Sequence, residues 1–116
     1  MTEATRHQKL LRLLGLGVRG RMAVVGVEQV RDAARRGKLK LAVIAPDASR
    51  HSLDKVVPLL RARRIRIIEG PGAALLGPAV GREHTAAVGV VDRDLARGIR
   101  DAAESSSERG SIGGRV

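Results

Sequence analysis

The sequence of 116 residues contains no cysteine and no aromatic residue. Without cysteine there is no disulfide framework, no thiolate zinc site and no cysteine nucleophile. Without Phe, Tyr and Trp, the chain lacks the platforms on which several RNA-binding modules stack unpaired bases. It also has no apolar run approaching the roughly 18 residues of a membrane span, and its start lacks the apolar core of a signal peptide. We therefore expect a soluble, cytoplasmic protein that does not bind membranes.

Positive charge dominates what the chain does contain. Its 22 Lys and Arg outnumber its 12 Asp and Glu, which gives a formal net charge of +10 and a pI near 11.6. A small basic domain of this kind is typical of nucleic-acid-binding proteins, because Lys and Arg displace the counterions condensed on phosphates. The alternative is that the arginines only solvate the surface. Without aromatic platforms, the charge favours a structured RNA that is recognised by its shape, backbone and groove edges.

Short apolar runs alternate along the chain with stretches of helical periodicity. Strands are predicted over 22–25, 40–45, 65–68 and 85–91, and helices over 3–15, 27–36, 53–63, 73–81 and 92–104. Because the strands are continuous apolar runs, the sheet should be covered on both faces. This pattern predicts an α/β fold, a three-layer α/β/α sandwich whose four-stranded mixed sheet is covered by about five helices. Residues 1–104 should form one domain, and the Ser- and Gly-rich residues 105–116 a flexible tail.

Two local signals refine the third predicted helix. Asp47 and Ser49 precede it, and both are candidates for its N-cap. Pro58 lies inside it and should kink or locally unsettle it.

Residues 15–20, Gly-Leu-Gly-Val-Arg-Gly, match the letters of the dinucleotide-binding motif G-x-G-x-x-G. That motif binds pyrophosphate only where it leaves a strand and opens a helix. Here it follows a predicted helix and precedes a predicted strand, so no nucleotide cofactor is expected. We interpret the stretch as a turn that breaks the first helix and brings Arg19 and Arg21 to one edge of the sheet.

The order helix, glycine-rich turn, strand, helix and strand resembles the kink-turn-binding ribosomal proteins, the superfamily of large-subunit protein "L seven Ae" and its "L thirty e" relatives. Residues 36–49, RGKLKLAVIAPDAS, are similar to the family pattern R-G-x-x-x-L-x-x-I-A-x-D. Residues 56–68, VVPLLRARRIRII, and 75–81, LLGPAVG, resemble two further family segments. The likeness spans residues 5 to about 100, and it is strongest to small bacterial members. It implies a non-catalytic protein, monomeric, that binds kink-turn-like RNA and is associated with the ribosome or translation.

In this family a G-x-N-E-x-x-K motif at the start of the second helix reads the RNA. The resemblance aligns it with Gly26, Glu28, Gln29 and Asp32. The glycine lets the backbone approach RNA closely, and a carboxylate and an amide can pair with guanine amino groups and adenine edges. The two polar residues stand in swapped order. Asp32 replaces the family's lysine and would repel a phosphate.

Basic residues complete the predicted site. Arg31 and Arg35 lie close enough on the same helix to compensate for Asp32. The family's loop before the fourth strand covers a flipped nucleotide, and here it offers Arg82 and His84 for stacking. The full set of predicted RNA-binding residues is Arg19, Arg21, Gly26, Glu28, Gln29, Arg31, Arg35, Lys38, Arg82 and His84. A further basic cluster, residues 61–66, fits a solvated helix end as well as an RNA contact.

Neither a catalytic nor a metal site is predicted. Asp47, Ser49 and His51 share one loop without a nucleophile elbow, and the three histidines lack metal-ligand spacing. Two alternatives to an RNA-recognition protein remain open. One is a protein-interaction module of the same fold whose RNA surface has decayed, with residues 26–29 serving only as a helix start. The other is the substrate-binding domain of an RNA ribose methyltransferase, although the chain has no room for the methyltransferase domain.

Overall fold

A computed structural model of the protein describes the backbone of residues 2–115 and the side chains of residues 2–104. The elements in chain order are α1 (Glu3–Arg19), β1 (Ala23–Val25), α2 (Val27–Arg35), β2 (Leu41–Ile44), α3 (Arg50–Ala62), β3 (Arg66–Glu69), α4 (Ala73–Ala79), β4 (Ala87–Val90) and α5 (Arg93–Arg115). The predicted tail, residues 105–116, lies outside the described side chains, so the boundary after residue 104 stays a prediction.

The four strands form one mixed sheet in the order β1-β4-β2-β3. β4 runs antiparallel to both of its neighbours, whereas β2 and β3 are parallel. We call the two ends of the sheet the top and the bottom. The top contains the carboxyl ends of β1, β2 and β3 and the start of β4; the bottom contains their opposite ends. Each connection between elements therefore lies at one identifiable end.

Apolar side chains fill both faces of the sheet. On one face α1, α4 and α5 pack against it, with Leu10, Leu14 and Ile99 almost wholly buried. On the other face α2 and α3 pack through Val30 and Leu60, which are 0% exposed. The predicted three-layer α/β/α sandwich with a mixed four-stranded sheet is confirmed.

The glycine-rich stretch does not break the first helix, as the sequence had suggested. α1 continues to Arg19, and both Gly15 and Gly17 are buried inside it. A Cβ on Gly15 would lie 2.8 Å from the carbonyl oxygen of Ala79, and one on Gly17 would lie 2.4 Å from Leu95 Cδ2. The glycines thus allow α4 and α5 to approach α1 closely, and this packing outweighs the low helix propensity of glycine. The turn is confined to the short segment 20–22.

Ser49 and Asp47 cap two different helices. The Ser49 hydroxyl accepts from the Ser52 N–H at 3.1 Å, so α3 begins at Arg50, three residues before the predicted start. The Asp47 carboxylate instead accepts from the N–H of Ala73 at 2.9 Å, which caps α4. α3 remains one helix through Pro58. These contacts fix the loops at the top of the sheet.

Candidate nucleic-acid interface

Gly26 joins β1 to α2 at the top of the sheet. Its φ of 101° lies in a region that L side chains rarely adopt, so glycine fits this position without strain. Its N–H donates to the carbonyl of Ala87 at 2.8 Å, which ties the start of α2 to the start of β4. A Cβ on Gly26 would meet nothing within 4 Å. The backbone here is therefore open to a partner.

α2 and α4 both begin after a glycine that supplies no side-chain cap, but at α2 no other described side chain accepts from the first-turn N–H groups either. Elsewhere in the described chain the first-turn N–H groups are accepted by Thr2 for α1, Ser49 for α3, Asp47 for α4 and Asp92 for α5. The first N–H groups of a helix have no partner within it, and the helix dipole adds partial positive charge there. The start of α2 therefore offers backbone donors to an anionic or carbonyl acceptor.

Glu28 in the first turn of α2 forms an ion pair across to α3. Lys55 Nζ donates to Glu28 Oε2 at 3.0 Å. This hydrogen bond and the lysine charge lower the pKa of Glu28; desolvation opposes them in part, and the charges of Arg31 and Arg35 each lower the pKa by a smaller amount. Glu28 is thus held as an ionised acceptor. Sequence reasoning missed Lys55, because only the packing of α3 beside α2 brings it close.

Gln29 and Asp32 lie on the solvent-exposed side of α2. Gln29 has no hydrogen-bond partner for its amide among the described residues, so its donor and acceptor are both free. Asp32 pairs with Arg36 at 3.2 Å, one helical turn further on. Arg36 thus offsets the charge of Asp32 in the free protein, and whether Arg31 and Arg35 compensate for it towards RNA stays a prediction.

Arg31 and Arg35 lie on the same side of α2 as Glu28. Both contribute to the lowered pKa of that carboxyl. Arg31 is half-buried, and its Nε is buried without a hydrogen-bond partner. Arg35 is exposed at the last residue of α2.

Residues 81–86 form the other predicted part of the interface and return from α4 to β4. Arg82 and His84 are exposed at the surface of this loop. The loop packs tightly on α4, because a Cβ on Gly77 would lie 2.3 Å from His84 Cα. The Thr85 N–H also donates to the carbonyl of Ala73, at 3.3 Å. Both Arg82 and His84 thus precede the start of β4, the strand to which Gly26 is bonded.

The remaining predicted residues lie at the other end of the sheet. Arg19 and Arg21 flank the turn before β1, and Lys38 lies in the connection before β2. Nine residues of α2 separate Gly26 from this end, about 14 Å along the helix axis. The structure therefore divides the predicted set in two: a group around the start of α2 at the top, and a basic group at the bottom.

Asp47 and Ser49, which share a segment with His51, both act as helix caps, and His51 is exposed in the first turn of α3. No group of His, Asp and Glu side chains in the described part of the chain could hold a metal ion. Among those same residues, no helix has both the length and the hydrophobicity of a membrane span.

Comparison with known proteins finds relatives of this chain in sequence and in fold. Residues 8–99 match the family model described as ribosomal protein L7Ae/L30e/S12e/Gadd45. The RNA-binding protein YlxQ of Bacillus subtilis is 31% identical over 84 residues, which cover 72% of this chain and 84% of that protein. A solved protein of unknown function from Bacillus halodurans is 29% identical with a TM-score of 0.76, covering 83% and 97% of the two chains. The 15.5kD RNA binding protein of Giardia lamblia shares the fold at a TM-score of 0.69 and 18% identity, covering 89% and 88%.

Proposed function

Because this chain belongs to the ribosomal protein L7Ae/L30e/S12e/Gadd45 family, we propose that it is a non-catalytic protein that recognises a structured, kink-turn-like RNA. The observation that carries this proposal is the start of α2, where Gly26 leaves the helix uncapped and opens the backbone to solvent. The relatives named as RNA-binding proteins support the same class of partner. We further propose that the protein is cytoplasmic, acts as a monomer and is associated with the ribosome or translation.

Recognition would begin with the backbone of α2. The N–H groups of its first turn donate to a phosphate or a base carbonyl, helped by the positive end of the helix dipole. The free amide of Gln29 supplies both a donor and an acceptor, which suits the edge of an adenine. Glu28 accepts from a guanine amino group through its ionised carboxylate.

Lys55 would control the charge that Glu28 presents to the RNA. In the free protein the lysine neutralises the carboxylate at 3.0 Å. When a base takes up the carboxylate, the lysine remains beside it as a cation close to the RNA backbone. The pair therefore positions the acceptor without leaving a bare negative charge facing phosphates.

The loop 81–86 would close over the same RNA. Arg82 and His84 are exposed there, and a guanidinium or an imidazole can stack on an unpaired base in place of an aromatic ring. The backbone of this loop packs closely on Gly77 of α4, and this contact would position Arg82 and His84.

Asp32 favours a second candidate, a protein-interaction module of the same fold. Its carboxylate lies one turn from Gln29, and a phosphate approaching that side would meet a negative charge. Asp32 is nevertheless compatible with RNA binding, because Arg36 offsets its charge through an ion pair between two exposed side chains. Such exposed pairs are weak, so the arginine can turn from Asp32 to a phosphate at small cost.

Gln29→Ala tests the RNA proposal. If the amide reads a base, the variant loses about 1–3 kcal/mol of discrimination, so its affinity for a kink-turn hairpin falls at least several-fold. Binding to a straight duplex of equal length should change little. The matched control is Gln8→Ala, the same substitution at an exposed position of α1. Fluorescence anisotropy titrations of both RNAs measure the effect.

Asp32→Lys provides the opposite test on the same helix. It removes a repulsive charge, frees Arg36 and adds a cation, so hairpin affinity should rise, most clearly at low salt. If the wild-type protein shows no preference for the kinked RNA and neither substitution changes its binding, the RNA proposal fails. The protein-interaction module would then be the better account.

A further inference from the structure

The basic residues of this protein are concentrated at the bottom of the sheet. Three connections at that end, residues 19–22, 35–40 and 61–65, lead from the last residues of a helix to a strand. Together they contain nine Lys and Arg and no Asp or Glu, whereas the fourth connection there, residues 91–94 from β4 into α5, contains Asp92, Arg93 and Asp94. All nine side chains are exposed. We call these three connections the bottom surface.

Strand pairing brings the three connections side by side. The Val91 N–H donates to the carbonyl of Met22 at 2.9 Å, and the Lys40 N–H donates to the carbonyl of Val90 at 2.7 Å. The starts of β1 and β2 thus flank the end of β4. Leu41 is paired in register with Arg66, which places the start of β3 next to that of β2. The three connections of the bottom surface therefore line the same end of the sheet, and the connection 91–94 leaves it between the first two.

The top of the sheet has the opposite balance of charge. Its connections and the adjoining first residues of helices, 26–28, 45–50, 69–73 and 81–86, contain two Arg and four Asp or Glu. The excess of positive charge therefore does not lie where α2 opens to solvent. It lies about 14 Å away along α2, beyond the roughly 10 Å over which 0.1 M salt screens exposed charges.

Internal contacts account for only two of the nine cations. Arg63 Nη1 donates to the carbonyls of Ala34 and Arg35 and so caps α2, and Arg36 pairs with Asp32. The other seven form no ion pair among the described residues, although Arg35 lies close enough to Glu28 to help lower its pKa. Cations do stabilise the C-termini of helices, but seven more on one surface also repel one another. Such a cluster is what a phosphate backbone neutralises.

We propose that the bottom surface binds the phosphate backbone of a second RNA segment while the start of α2 holds the first. One molecule would then join two RNA segments. The proposal rests on the proposed function for the first segment only. The second contact is sequence-independent, since it needs charge and not base reading.

The test uses the full chain and two RNAs, a labelled kink-turn hairpin and a differently labelled straight RNA duplex. Protein saturated with hairpin should still bind the duplex, so that energy transfer between the two labels appears in the ternary complex. Lys38→Gln with Lys40→Gln should weaken duplex binding at least about tenfold at 0.1 M salt and reduce the slope of log affinity against log salt by about 1.4–1.8. Hairpin affinity should change far less.

Two comparisons separate this proposal from the one on α2. Lys9→Gln with Arg12→Gln removes the same charge from exposed positions of α1, and it should leave duplex binding nearly intact. Gln29→Ala should weaken the hairpin and spare the duplex. If wild type binds duplex but shows no preference for the hairpin, the function proposed for α2 fails and the bottom surface stands.

Any of four results would overturn the proposal. In the first two, the wild type does not bind the duplex, or the duplex and the hairpin displace each other. In the other two, the Lys9 and Arg12 double variant loses as much duplex affinity as the Lys38 and Lys40 double variant, or polyglutamate binds as tightly as the duplex. The last would indicate a surface for acidic proteins.

Discussion

Gly77→Ala should destabilise the protein although it improves the helix propensity of α4. In a helix interior alanine is favoured over glycine by about 1 kcal/mol. At this position, however, the new Cβ would lie 2.3 Å from His84 Cα and 2.6 Å from the His84 nitrogen. Both are backbone atoms that no rotamer change can move. Overpacking of this kind costs about 1–3 kcal/mol, which outweighs the gain in helix propensity, so we expect the free energy of unfolding to fall by up to about 2 kcal/mol.

Gly98→Ala is the matched control for this substitution. It makes the same change within α5, where a Cβ would meet nothing within 4 Å, so the free energy of unfolding should rise by up to about 1 kcal/mol. Urea denaturation of both variants measures the difference. Hairpin affinity should fall for Gly77→Ala alone, since the displaced loop carries Arg82 and His84. Equal stability of the two variants would refute the close contact between the loop and α4.

Two further predictions concern the ion pair on α2 and the end of the chain. Lys55→Gln removes the main cause of the lowered pKa of Glu28, so this pKa should rise toward its ordinary value in an NMR titration, whereas Lys9→Gln should leave it unchanged. A lowered pKa of Glu28 stabilises the folded protein at pH above the ordinary value of that pKa, so the wild type should lose this stability as the pH falls through the folded pKa. Lys55→Gln should lose less stability over the same pH range. An unchanged Glu28 pKa in the variant would mean that the ion pair does not form in solution. Deleting residues 105–116 should leave the thermal midpoint unchanged, and a clear decrease would show that the domain extends beyond residue 104.

Most of the fold can be predicted from the sequence, because its strands are continuous apolar runs. Val43 and Val88, which are 0% exposed, lie in such runs, and helical periodicity separates them. The end of α1 could not be predicted in the same way. Gly15 and Gly17 look like helix breakers when only local propensity is considered. Their role depends on Ala79 and Leu95, which are distant in sequence and approach only in the folded protein.

The candidate site was predictable where it depends on one local segment. Gly26, Glu28 and Gln29 can be identified from the sequence of that segment alone. In the structure Gly26 has a positive φ, and Glu28 and Gln29 are exposed. Contacts between segments were not readable. Lys55 is 27 residues from Glu28, and nothing in either segment indicates that they meet. The division of the arginines between the two ends of the sheet likewise follows from strand order, which charge counting does not contain.

Under the two proposals, the two surfaces would bind RNA through different interactions. At the start of α2 the available groups are backbone N–H donors, an amide and a neutralised carboxylate, and the surrounding loops carry more acidic than basic residues. Affinity there would come from directional hydrogen bonds, which select a base and depend weakly on salt. At the bottom surface seven cations without an ion pair would select only a backbone, and their binding would depend strongly on salt. We therefore expect base specificity to depend on α2 and salt dependence to depend on the bottom surface.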